Sequence, residues 1–295
     1  MSSTSSEAGP AAAPALPAGR PRRLPLRRLL GLEPTEEIVA PDGGTTWISI
    51  VSTVLILGTW WVASHLQWVP PIFLPTPEAV IQRFLETIAE PYGETTLIGH
   101  TMWSLIRVFS AFALACATAI PIGIAMGISR LVRGLADPPI EFYRPLPPLA
   151  YLPLIVIWFG IGELSKIILI YLAIFAPLAL SARAGVRSVA AEQLHAARSM
   201  GASRRQAILH VVMPAALPEI LTGMRIGMGF GWTTLVAAEM VAATQGLGQM
   251  VLNASSFLVT DVVIMGIVVI GIIALLIDVT MRWLERRLVP WKGRV

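Results

Sequence analysis

Cysteine is nearly absent from this chain of 295 residues: Cys116 stands alone inside an apolar run. That excludes an intrachain disulfide and a thiolate metal cluster, and leaves Cys116 the role of a small packed side chain. Lysine is almost as scarce. Only Lys166 and Lys292 occur and neither follows a glycine, so the chain carries no GxxxxGK[ST] phosphate loop. The histidines, His65, His100, His195 and His210, form no metal-spaced cluster, and no Ser-His-Asp grouping is recognisable from spacing. Enzymatic chemistry and a bound cofactor or metal therefore have no support. Charge is thin as well, at 14% of residues against 55% hydrophobic, with a mean hydropathy of +0.70. Such a chain is too apolar for a soluble domain, and its net charge of +4 follows the loops rather than a basic groove for nucleic acid.

What is present is a series of long apolar blocks, the pattern of an all-α polytopic membrane protein. Six spans are predicted, at about 46–66, 104–128, 145–161, 166–185, 217–241 and 262–284. Only the first two contain uncharged runs of about the 20 residues that a crossing needs. The third and fourth are short and hinged by "GIGELSK", as one hairpin or a partly re-entrant pair. Before the spans, residues 1–45 are rich in Ala, Pro, Ser and Gly and carry Arg20, Arg22, Arg23, Arg27 and Arg28. They cannot bury a core and are expected to form a disordered cytosolic tail, leaving 46–295 as the membrane domain. A polar spacer parts the basic residues from the first span, unlike a signal peptide.

Basic residues are retained on the cytosolic side, so the loops predict orientation. Residues 67–103 set Glu78, Glu86, Glu90 and Glu94 against Arg83, whereas 129–144 hold Arg130, Arg133 and Arg144. Residues 183–216 carry Arg183, Arg187, Arg198, Arg204 and Arg205; 239–261 carry no Lys or Arg; the tail after 281 is basic again. Both termini and the stretch 183–216 are thus expected in the cytosol.

Within that stretch lies "HAARSMGASRRQAILHVVMP", residues 195–214. Ser188 is placed to cap a first helix, Gly201 to end it in a left-handed conformation, and Ser203 with Gln206 to form a capping box. Pro214 is expected to end the second helix. Ala196, Ala197 and Gly201 offer little bulk, so another protein can approach the backbone closely.

Here the chain resembles the ABC import permeases, whose cytosolic loop reads Glu-Ala-Ala, three residues, Gly, nine residues, Ile, any residue, Leu-Pro. Ala196, Ala197, Gly201 and Pro214 are in register; His195, Val211 and Met213 depart from it, and His195 removes a carboxylate. The resemblance extends over roughly 46–295. It is greatest to the taurine, aliphatic-sulfonate and nitrate group, and within it to taurine permeases, through "EFYRPLPPLAYLPLIVIWFGIGELSK", "ALPEILTGMRIGMGFGWTTLVAAEMVAAT" and "RRLVPWKG".

The resemblance implies a type I ABC importer permease fold in a bacterial inner membrane, working as a homodimer with two ATPase subunits and an extracytoplasmic substrate-binding protein. ATP and Mg would be bound by the ATPase. Coupling helices at about 189–212 would dock there through His195, Ala196, Ala197, Gly201, Ala202 and Pro214. For the substrate pathway, Trp232, Thr233, Thr234 and Glu239 are candidates, Glu239 facing the ammonium of a zwitterion such as taurine. Two readings of these residues stand side by side: pathway, or packing between helices with Glu239 at an interface. Arg107 and Asp261 are equally open as gate, cap or receptor contact, and Trp60, Trp61, Trp68 and Trp103 read as interfacial anchors.

Overall fold

The computed structural model describes residues 45–291, and its elements there are helices. They are α1 (Thr45–His65), α2 (Pro77–Ala89), α3 (Leu97–Ile128), α4 (Arg130–Tyr143), α5 (Pro148–Phe159), α6 (Glu163–Arg187), α7 (Ala191–Ser199), α8 (Arg204–Ala207), α9 (Met213–Ala242), α10 (Leu247–Ser256) and α11 (Thr260–Leu288). The expected tail lies outside the described residues except for Thr45, which opens α1. The chain divides into two compact units, Met1–Ile56 and Leu57–Val295. The described part of the first is the opening of α1, with Trp47 and Ile48 exposed.

Five helical stretches are long and apolar enough to cross a membrane: Trp47–His65, Leu97–Ile128, Glu163–Arg187, Arg204–Ala242 and Thr260–Leu288. The third expected span, 145–161, becomes the short apolar helix α5. Its start is held back by Pro145, Pro147 and Pro148, and Gly160, at φ +79°, ends it. Twelve residues reach about 18 Å, short of a hydrocarbon core of about 30 Å. Its partner α6 is a full-length span rather than half of a short hairpin.

At the other spans the differences lie at the ends. Helix α3 begins at Leu97, seven residues before the expected 104, because Thr96 accepts from the Gly99 N–H at 3.3 Å and caps it. The polar residues that follow, His100, Ser104 and Arg107, are buried inside the protein rather than placed in lipid. The connecting segments also contain helices: α2 and α4 are capped by the Thr76 and Ser129 side chains.

Helix α6 forms the centre, packed along α3 on one flank and α9 on another. Small residues make this possible. Ala111, Ala115, Ala119 and Gly123 recur every fourth position on α3 and are buried along one face. A Cβ at Gly123 would come within 2.3 Å of the Ala179 carbonyl oxygen on α6. From α6, Leu169, Ile170, Ile174 and Leu178 fill the space between the neighbours, meeting Met228 and Leu235 of α9.

Ion pairs and indole bonds fasten the periphery. Arg183 near the end of α6 pairs with Asp137 of α4, and Arg83 of α2 donates to Asp261 of α11 at 2.9 Å. Asp261 also accepts from the Val262 N–H at 2.8 Å, so it acts as a helix N-terminal charge and a tie to α2 together. Trp60 and Trp61 donate to the Pro75 carbonyl (3.1 Å) and to Glu78 (2.9 Å), while Trp103 stacks 5.7 Å from the Arg107 guanidinium. Trp68 is exposed. Arg225 reaches Glu285 of α11 at 3.8 Å.

Candidate functional site

The segment after α6 turns as its glycine dictates. Helix α7 ends in a Schellman motif: the Gly201 N–H donates to Arg198 O at 2.9 Å and the Ala202 N–H to Ala197 O at 3.0 Å. The motif needs a left-handed residue, and Gly201 sits at φ +82°. Two residues on, Ser203 and Gln206 form the expected capping box, the Gln206 N–H donating to Ser203 Oγ and Gln206 Oε1 accepting from the Ser203 N–H at 2.8 Å.

Two expectations are corrected. Ser188 does not cap α7: it stays helical at the end of α6, its hydroxyl donating to Gly185 O at 2.9 Å, and Ala190 is the N-cap without a side-chain bond. Nor does Pro214 end the second helix. After α8, residues Ile208–Val212 form a π-helical turn in which the Met213 N–H donates to Ile208 O, five residues back, and the chain runs into α9. The wider turn relieves the clash between a proline ring and the carbonyl four residues earlier, and Pro214 has no N–H to satisfy. Arg204–Ala242 is one continuous helical stretch with the π-helical turn inside it.

Ala196, Ala197, Met200, His210, Pro214 and Trp291 line an open groove of about 880 Å³ beside this turn. His195, Ala196, Gly201 and Pro214 are exposed, Ala202 is half-buried and Ala197 is buried. Met200 is 82% exposed, a large apolar side chain standing next to a shallow recess of small ones. His195 and the turn residues Gly201 and Ala202 lie outside the groove lining.

The other polar centre is buried where α3, α6 and α9 meet. Arg107 is 2% exposed and donates to both oxygens of Glu163 (2.6 and 2.9 Å), to Glu239 (2.8 Å) and to the Gln245 carbonyl (2.6 Å). Glu239 is wholly buried and also accepts from Ser104 Oγ (2.8 Å) and the Gly248 N–H (2.9 Å). Ser104 in turn accepts from the Leu247 N–H at 3.0 Å. His100 accepts from the Gly246 N–H at Nδ1, so its Nε2 carries the proton donated to Tyr92 O, both at 3.0 Å. Lys166 donates to Glu163 at 2.7 Å. A two-plus, two-minus set of charges thereby neutralises itself in the membrane-spanning bundle and holds the 243–248 loop against α3.

Of the pathway candidates, Glu239 is thus held by three polar partners rather than facing a cavity. Trp232 and Thr234 are buried, the Trp232 indole N–H without a hydrogen-bond partner, and Thr233 is exposed with its hydroxyl donating to Phe230 O at 3.0 Å. The structure brings together Glu239, Arg107, Ser104, Glu163 and Lys166, of which the loop-and-span reading had singled out only Glu239 and Arg107. The signal available in the sequence was the run "GELSK", two opposite charges three residues apart at the head of an apolar block.

Residues 119–290, more than half of the chain, match the family described as binding-protein-dependent transport system inner membrane component. The chain belongs to this family. It is 57% identical over 250 residues to the taurine transport system permease protein TauC of Escherichia coli, covering 84% of this chain and 90% of that one. It is 37% identical to the putative aliphatic sulfonates transport permease protein SsuC of Bacillus subtilis, over 81% of this chain and 85% of that one. Against the nitrate import permease protein NrtB of Synechocystis the identity is 31%, over 74% and 81%. Among solved structures, the MetNI methionine ABC transporter in an inward-facing conformation matches with a TM-score of 0.58 at 20% identity, covering 65% of this chain and 95% of that chain. This likeness shows the fold. The protein is an all-α membrane permease of the ABC importer class.

Proposed function

We propose that this permease imports taurine, as the membrane subunit of a complex with two ATPase subunits, a second copy of itself and an extracytoplasmic binding protein. The observation that carries the substrate is the 57% identity to a taurine permease spread over 84% of the chain. The segment from Ala191 to Pro214 is the coupling element: a glycine-set turn, an exposed methionine and an open groove that mixes small residues with His210 and Trp291 suit a complementary surface on the ATPase. Hydrolysis belongs to that partner. The closed two-fold pair is the economical assembly for one permease and two ATPase subunits. Both termini face the cytosol of a bacterial inner membrane, a reading supported by the basic residues at 130–144, 183–205 and 282–294.

ATP binding would draw the ATPase subunits together, carry the coupling elements with them, and bias the permease pair toward an outward-open state; hydrolysis would restore the inward-open one. Substrate moves by a shift between two states, with no covalent step in this chain. Within it, the Arg107–Glu239 centre is a packing element, and the substrate-facing part of α9 is the exposed side that carries Thr233 and Phe230.

The test is ATP-driven uptake of labelled taurine into proteoliposomes holding the permease, its ATPase and its binding protein, competed by other alkanesulfonates and by nitrate. Uptake inhibited by close taurine analogues alone is expected. The relatives named for aliphatic sulfonates and nitrate support a second reading, another small anion as cargo; uptake of one of these without taurine uptake would establish it instead.

A further inference from the structure

A cavity of about 570 Å³ lies between the α4–α5 junction, α6 and α9. On α6 its wall runs from Arg183 back to Leu172 and on α9 from Glu219 to Phe230, in each case about 16 Å of helix rise. It thus extends from the α6 end that carries the Arg183–Asp137 pair about halfway into a core of ~30 Å. The deep part is apolar. Its mouth is charged, with Arg144, Arg183 and Glu219.

One cation at the mouth is unspent. Tyr143 lines the cavity, but its hydroxyl is screened from solvent and so does not open onto it. Arg144 is 58% exposed and reaches only Glu141, at 3.8 Å, leaving most of its guanidinium fork available. Arg183, by contrast, is engaged with Asp137. A planar cationic fork with free N–H donors is the group that sulfonate-type oxyanions take up. Glu219 supplies the opposite charge, and the ring faces of Tyr151 and Phe230 suit an ammonium group.

We infer that this cavity is the inner recess for a small organosulfonate in transit, its sulfonate on Arg144 and its ammonium toward Glu219. The inference rests on the import reading and on the cytosolic placement of the α6 C-terminus. Glu219 lines the coupling groove as well as the recess, so one residue of the α9 rod borders both the docking surface and the cargo.

The experiment places a cysteine in the recess of the full reconstituted complex, as Ser181→Cys in a Cys116→Ala background, with Ala184→Cys on the same wall as a second position. Two methanethiosulfonate reagents then compare charge: one bearing a 2-sulfonatoethyl group and one a 2-trimethylammonioethyl group. The rates are read as a ratio, anionic over cationic. Arg144→Gln should lower that ratio ~10-fold, the scale of electrostatic focusing in a charged cleft, Glu219→Gln should raise it, and taurine should slow both reactions. A ratio unchanged by Arg144→Gln, or no protection by any alkanesulfonate, overturns the recess; a cavity filled by lipid chains would give that result. Wild-type uptake measured alongside separates the two claims. Taurine uptake without protection sinks the recess alone, whereas protection by ethanesulfonate with no taurine uptake sinks the choice of taurine alone.

Discussion

Arg107 on α3 and Glu239 on α9 meet at 2.8 Å with their side chains 2% and 0% exposed, so two opposite charges hold the membrane-spanning bundle together from within. Removing Arg107 leaves Glu239 with neutral partners only, Ser104 and the Gly248 N–H, whereas removing Glu239 leaves Arg107 still paired with Glu163.

Arg107→Met is therefore expected to lower the stability of the purified permease by about 3–5 kcal/mol, the usual cost of breaking a buried pair from one side. The pair Arg107→Met with Glu239→Leu should recover part of that loss. Thermal unfolding followed by size-exclusion chromatography in detergent reads both, and a double variant no better than the single one would show that the pair is not the unit.

Glu239→Gln separates packing from pathway. The packing role predicts a lower melting temperature and an unchanged KM for taurine among the molecules that stay folded. A raised KM at unchanged stability would place Glu239 in the pathway instead.

At Gly201 the left-handed backbone and the exposed turn make one prediction. Gly201→Arg, strained at φ +82° and bulky, should abolish co-purification with the ATPase while membrane insertion persists. Undiminished binding would remove the turn from the docking surface. His195→Glu, exposed on α7 and outside the groove lining, should leave docking intact or strengthen it.

Ser203→Ala removes one half of the capping box and should cost ~1 kcal/mol locally, seen as faster amide hydrogen exchange across Arg204–Ala207. Exchange there unchanged from the wild type would mean the box is idle.

The spans were legible where hydropathy is high, as in α11, because lipid admits few other readings of such a segment. The turn at Gly201 and the Ser203–Gln206 box were legible because their chemistry is local. What escaped was nonlocal. The burial of Arg107 depends on its meeting Glu163 and Glu239, residues 56 and 132 positions away, and no window along the chain contains that neutralisation. Pro214 misled for a related reason: a proline stops a regular helix, but a π-helical turn accommodates it. The recess at Tyr143 and Arg144 draws on α6 and α9 for its other walls, so "EFYRPLPPL" by itself showed only a broken helix start.

The continuity of Arg204–Ala242 has a mechanical meaning. Thirty-nine helical residues reach at most about 58 Å, well beyond the bilayer they cross. Tipping a stretch of that length by ten degrees about its midpoint sweeps each tip through roughly 5 Å in opposite senses. Force applied near Arg204 would therefore reach Ala242 as a counter-stroke, a rocker arm rather than a piston, with the π-helical turn at Ile208–Val212 as the place where the arm can bend.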